Sequence, residues 1–288
     1  MSVRNAVLTV DRAALEARHP EIFRGSPRRR AVTIGVIIAL FAGLVLGIAS
    51  LDIDWARFLR GFGKLGTFLS HMLPPSTGSW STFLVYLHAL AETVAIAFLG
   101  TLFAALFALP FGFLAAKNVV PSFVFHFFTR RFLDSVRGVD ELIWALIWVG
   151  VVGLGPFAGV LALICSNFGA FGKLFSEAIE VADRKPIEGV VSAGGGELHK
   201  IRYGILPQII PVIAGQVLYY FESNTRSATI IGIVGAGGIG LHLAEQIRVL
   251  EYQHVSALII MILIVVALID FLSTRLRFAI IGRSELRA

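Results

Sequence analysis

Long apolar stretches without charge alternate along this chain with short polar segments that carry most of its ionisable residues. Residues 31–51 hold no charge and, as a helix rising about 1.5 Å per residue, can cross a hydrocarbon core of about 30 Å. The same pattern predicts further spans at residues 84–116, 139–152, 156–175, 205–234 and 254–272, with the third rather short. A tight turn at Gly153-Leu154-Gly155-Pro156 separates the third from the fourth. Two segments mix aromatics with basic residues, 55–72 and 119–137, and are expected to be helices lying at the membrane interface. The expected architecture is therefore an all-α membrane protein of about six transmembrane helices. Residues 1–30 are polar and mixed in charge, so the first apolar run is read as an anchor of the mature chain.

Composition strengthens this picture. Hydrophobic residues make up 56% of the 288 and charged residues 15%, where a soluble domain is nearer half and a quarter. The net charge of +6 would suggest nucleic acid only if the basic residues shared one face of a soluble fold. Instead they collect in alternate loops: with both termini placed in the cytoplasm, nineteen Lys and Arg fall on that side and four on the other. Cys165 is the one cysteine, which excludes an intrachain disulfide and a cysteine-based metal site.

Residues 176–204 form an unusually long polar connection. Ile187, Val190, Val191, Leu198 and Ile201 beside Glu188, Glu197, Lys200 and Arg202 predict two short amphipathic helices broken at Gly194-Gly195-Gly196. Such an element can present one face to a soluble partner. From Glu188 to Pro207 the stretch resembles the EAA coupling loop of bacterial ABC import permeases: Glu188, Gly194, Leu206 and Pro207 fall on the pattern. Gly189 and Val190 stand where that pattern has alanines, and Gly204 where it has isoleucine. Two further runs, from Glu177 and from Phe221, are similar to the phosphonate-importer permeases, over roughly residues 84–282.

The resemblance implies a MetI-like permease core at 84–282 with its coupling loop at 176–206, preceded by a tail, helix and external loop at 1–83 and followed by a tail at 283–288. It also implies a homodimer in the bacterial inner membrane, served by two ATP-binding subunits and a periplasmic or lipid-anchored binding protein. Its substrate would be phosphonate or a related phosphorus oxyanion. The coupling residues would be Glu188, Gly189, Ala193, Gly194, Leu206 and Pro207. ATP and Mg would sit on the partner, and this chain would hold no cofactor. The sequence has no G-x-x-x-x-G-K-[ST] phosphate loop, no metal spacing among its seven histidines and no nucleophile motif, so no catalytic residue is expected.

Charges inside the fifth span need protein or water around them. Glu222 and Arg226 lie four positions apart on one helical face and are expected to pair. The functional reading places Arg226, with Glu222, Ser223, Asn224 and Ser227, along a translocation pathway, since a guanidinium fork matches phosphonate oxygens. Gly235, Gly237 and Gly240 spell a dinucleotide fingerprint, but a membrane helix precedes them where a strand is required. Together with Gly238 they are read as a glycine-rich hinge at the extracellular gate, where backbone flexibility and close packing matter. Glu92, Asp140, Glu141 and Asp270 are assigned to solvated helix ends. A secondary transporter driven through Glu92, Glu222 and Asp270 is the competing reading; it would need no ATPase, but the sequence shows no repeated halves. An integral-membrane enzyme lacks an acid/base pair.

Overall fold

The structure is a computed structural model describing residues 27–51 and 54–282; the expected tails before residue 27 and after residue 282 lie outside the described residues. It divides into two compact units, up to Phe68 and from Leu69 onward. Among the described residues every regular element is helical.

In the first unit, α1 (Pro27–Ser50) is apolar over a length that can cross a membrane, as its sequence predicts. α2 (Trp55–His71) begins a few residues later, where the Asp54 carboxylate accepts hydrogen bonds from the Ala56 and Arg57 N–H groups at 2.9 and 3.0 Å. Trp55, Phe58, Leu59, Phe62 and Leu65 share one face of α2 and are exposed, while Arg57, Arg60 and Lys64 share the opposite one. This is the form expected of an interfacial helix.

The second unit is a helical bundle built on α3 (Trp80–Ala115), α6 (Pro156–Val181), α9 (Leu206–Ile233) and α11 (Tyr252–Ile281). Many of the buried positions are small, and many large apolar residues face outward. On α3, Ala97, Ala104, Ala108 and Ala115 are fully buried, whereas Leu102, Phe103, Leu106 and Phe107 are exposed. That inversion suits lipid, where close backbone approach rather than burial of large apolar groups holds helices together. At Gly169 of α6 an added Cβ would lie 2.6 Å from the Leu133 carbonyl oxygen, so only glycine lets these backbones meet.

The expected interfacial helix at 119–137 is corrected. α4 (Phe123–Arg137) packs along α6, and α5 (Glu141–Val152) continues past it. Arg130 pairs with Glu180 at 2.9 Å, Asp134 with Lys173 at 3.1 Å, and Arg137 lies beside Gly169; Ala145 then shares a core with Ala162 and Leu163. These pairs step steadily in opposite directions along the two stretches of chain. α4 and α5 are thus one broken crossing, antiparallel to α6. α5 alone, 12 residues and about 18 Å, is too short. The break at Gly138–Asp140 is closed by the Asp140 carboxylate, which accepts from the Leu142 N–H at 2.9 Å. Asp140 is therefore a helix cap and not a merely solvated helix end.

Other limits move as well, α11 running on to Ile281. α6 runs to Val181, so the polar connection starts only at Ala182. A helix that hydropathy passes over, α10 (Ile239–Arg248), follows the glycine-rich turn.

Candidate functional site

Three places in the second unit carry unusual chemistry: the loop at one end of the bundle, a charged cluster between α9 and α11, and the glycine turn at the other end.

The loop comprises α7 (Arg184–Ser192), a glycine break, the single turn α8 (Glu197–His199) and a π-helical turn (Lys200–Ile205) that runs directly into α9. This matches the two-helix form expected from the sequence. Asp183 caps α7 by accepting from the Lys185 N–H, and Gly194 reverses the chain at φ +80°. Most of the element faces outward: no residue of α7 is buried, and Leu198 is 79% exposed. Glu188, Gly189, Ala193 and Gly194 all lie on this exposed stretch, whereas Leu206 packs at its base. Pro207 opens α9, where the missing N–H costs nothing.

The base is fixed rigidly. Ile187 sits with Ile179, Ile205 and Ile209 in one apolar cluster. A Cβ at Gly204 would lie 3.1 Å from the Ile187 Cα, so Gly204, one of the three departures from the EAA pattern, sits where α7 crosses closely. Gln208 of α9 completes the joint: its Oε1 accepts from the Asp183 N–H at 2.9 Å, and its Nε2 donates to the carbonyls of Asp183 at 3.2 Å and Gly204 at 2.6 Å. A force on α7 therefore reaches α9 directly.

About 21 Å along α9 from Gln208 lies Glu222, 9% exposed. Its Oε1 accepts from Arg226 at 3.3 Å, the pairing the sequence predicts, and its Oε2 accepts from Arg277 of α11 at 3.1 Å. The Arg277 guanidinium also donates to Thr274 Oγ1 at 3.2 Å. Two arginines thus share one carboxylate. Sequence reading misses Arg277, because it lies beyond the last apolar window and counts as part of a basic tail. Beside it a groove of about 1030 Å³ opens between α9 and α11, lined by Gln208, Gln216, Tyr219, Thr274 and Arg277 among others. Gln216 Oε1 and Arg277 Nε are buried without a hydrogen-bond partner, a cost of about 1–3 kcal/mol each. Asn224, expected on the pathway, instead is buried against α3 and donates to Thr101 Oγ1 at 2.7 Å. Ser223 and Ser227 are half-buried, and Arg226 is exposed.

At the opposite end, Gly235, Gly237 and Gly238 adopt φ of +98°, +83° and +73°, which an L side chain enters only with strain. The whole turn from Gly235 to Gly240 is buried. A Cβ on Gly237 would fall 2.7 Å from Pro156 N. The glycines therefore make a close-packed joint, in keeping with the close packing that the sequence reading asks of them. Glu92 of α3 holds it: its Oε1 accepts from the Gly238 N–H at 3.0 Å, and Thr93 Oγ1 accepts from the Ile239 N–H at 2.8 Å. Glu92 is thus a cap for α10 supplied by another helix. Glu92→Ala is expected to cost about 1 kcal/mol, read as a lower thermal midpoint of the purified chain with Glu92→Gln closer to wild type.

Residues 108–283 match the family model described as the binding-protein-dependent transport system inner membrane component. The chain belongs to that family. The permease is 36% identical over 254 residues to the putative phosphite transport system permease protein HtxC of Stutzerimonas stutzeri, covering 88% of each. It is 38% identical over 256 residues to the phosphate-import permease protein PhnE of Mycolicibacterium smegmatis, covering 88% of this chain and 48% of that one. Among solved structures it resembles an inward-facing conformation of the MetNI methionine ABC transporter, with a TM-score of 0.62 at 19% identity, over 70% of this chain and 99% of that one. The MetI-like fold expected from the loop motif is thereby established. The permease is a multi-pass membrane protein and a transport subunit.

Proposed function

We propose that this permease translocates a phosphorus oxyanion such as phosphonate, phosphite or phosphate into the bacterial cytoplasm, driven by ATP hydrolysis on a separate subunit. The observation that carries the reading is the exposed α7–α8 loop bolted through Gln208 and Ile187 to the foot of α9. A projecting element with a rigid base transmits force. The α7–α8 face docks on the ATP-binding subunit, which holds ATP and Mg, and its closure tilts α9.

The substrate class rests on the names of the relatives, which are phosphite and phosphate permeases. The functional unit is two permeases with two ATP-binding subunits and a periplasmic or lipid-anchored binding protein, both permease termini being cytoplasmic. With the five arginines of α4 and α11 set aside, fourteen basic residues against four support that orientation. Glu222, Ser223, Arg226 and Ser227 line the pathway.

Arg226→Ala is the first test. Uptake of phosphonate at limiting concentration should be abolished while the complex still assembles; undiminished uptake would remove Arg226 from the pathway. Gradient-driven transport gains no support here, since Glu222 is tied to two arginines and Glu92 to a helix N-terminus. Both acids are held by hydrogen bonds in the fold, and Asp270, the third acid of that reading, is exposed on α11.

A further inference from the structure

We infer that Arg277 is an oxyanion-binding residue inside the permease, and that Glu222 is the built-in counter-ion that occupies it when no substrate is present. This rests on the importer reading above and adds a residue and a cycle to it. A carboxylate and a phosphonate compete for the same donors, because each offers paired oxygens to a guanidinium fork.

The geometry favours a site that is loaded and emptied. Arg277 and Arg226 share the single carboxylate of Glu222, leaving one positive charge in excess within this triad. Arg277 lines the groove between α9 and α11, where Gln216, Tyr219 and Thr274 supply further polar groups. Two buried atoms there are unpaired, one donor and one acceptor: Arg277 Nε and Gln216 Oε1. A singly protonated phosphorus oxyanion complements both, its P–O⁻ accepting from the Nε–H and its P–OH donating to the amide oxygen. Entry requires α9 and α11 to part slightly, since both atoms are closed to solvent here.

Release follows from the same arrangement. Glu222 rides on α9, the helix whose foot Gln208 ties to the coupling loop, while Arg277 rides on α11. Moving α9 away from α11 lengthens the 3.1 Å bridge and frees Arg277 for the anion; returning it restores the carboxylate and expels the anion.

The test uses the full-length chain and methylphosphonate as probe. Line broadening of the 31P resonance by purified permease is expected for wild type, at least threefold stronger for Glu222→Gln, and absent for Arg277→Gln. This readout needs no ATPase, so it is separable from a failure of the importer reading, which would show as absent ATP-dependent uptake by wild type. In the assembled transporter, Arg277→Gln should lower uptake at least tenfold. Glu222→Gln combined with Arg277→Gln, which leaves net charge unchanged, should stay as low. Recovery of uptake in the double variant would show a merely structural ion pair and overturn the inference. So would equal broadening by wild type and Arg277→Gln, no broadening by either wild type or Glu222→Gln, or loss of the subunit assembly itself in Arg277→Gln.

Discussion

Gly194→Asp is expected to leave the permease folded in the membrane and to abolish ATP-driven uptake. At φ +80° the backbone is left-handed, but Asp enters that region more readily than most residues, so the strain is at most about 1–2 kcal/mol. A Cβ at this position meets nothing within 4 Å, so the new side chain disturbs no contact inside the chain. The lesion must then act on whatever docks there. Membrane abundance near wild type, with uptake reduced at least a hundredfold and the ATP-binding subunit lost on purification or hydrolysing ATP without transport, is the expected set of results. Normal coupled uptake would mean that the α7–α8 turn is not the docking element.

The opposite outcome is expected of Gly240→Ala. An added Cβ would lie 2.0 Å from the Thr229 carbonyl oxygen and 3.0 Å from the Gly232 Cα, so it collides with backbone on α9 and not with a side chain that can turn away. Overpacking typically costs about 1–3 kcal/mol, and a collision with fixed backbone belongs at or beyond the upper end. Little permease should survive in the membrane, and what is purified should melt well below wild type. Gly43→Ala, with nothing within 4 Å, is the control that should change neither. A thermal midpoint for Gly240→Ala within about 2 °C of wild type would contradict the close α9–α10 contact.

These two glycines differ in how far their roles are legible in the sequence. Gly194 belongs to a local pattern: two amphipathic turns, a glycine break and a proline sit within some twenty residues, and adjacency in sequence becomes adjacency in space. The apolar spans are legible for the same reason, each being a continuous run. Gly240 is visible as a glycine, but the joint it belongs to depends on Thr229, Glu92 and Pro156, and the last two lie far away along the chain. Which backbones a glycine-rich turn packs against is not written in its composition. The broken α4–α5 crossing is easily mistaken for an interfacial helix, because Arg130 and Arg131 look solvated until Glu180 and Asp134 are known to accompany them. Pairing lowers the need for solvation, most of all at the largely covered Arg130. Arg277 escapes for a related reason, as α11 extends beyond its most apolar stretch and carries the charge back to Glu222.

The central claim is that this chain owns the path and another subunit owns the engine. It is tested most directly by reconstituting the permease with its ATP-binding subunit and binding protein in vesicles, and measuring accumulation of labelled phosphonate or phosphite without any ion gradient. Accumulation that requires ATP and all three components, and that Gly194→Asp removes, is the result the account predicts. Accumulation driven by a proton or sodium gradient through the permease alone, indifferent to ATP, would contradict it.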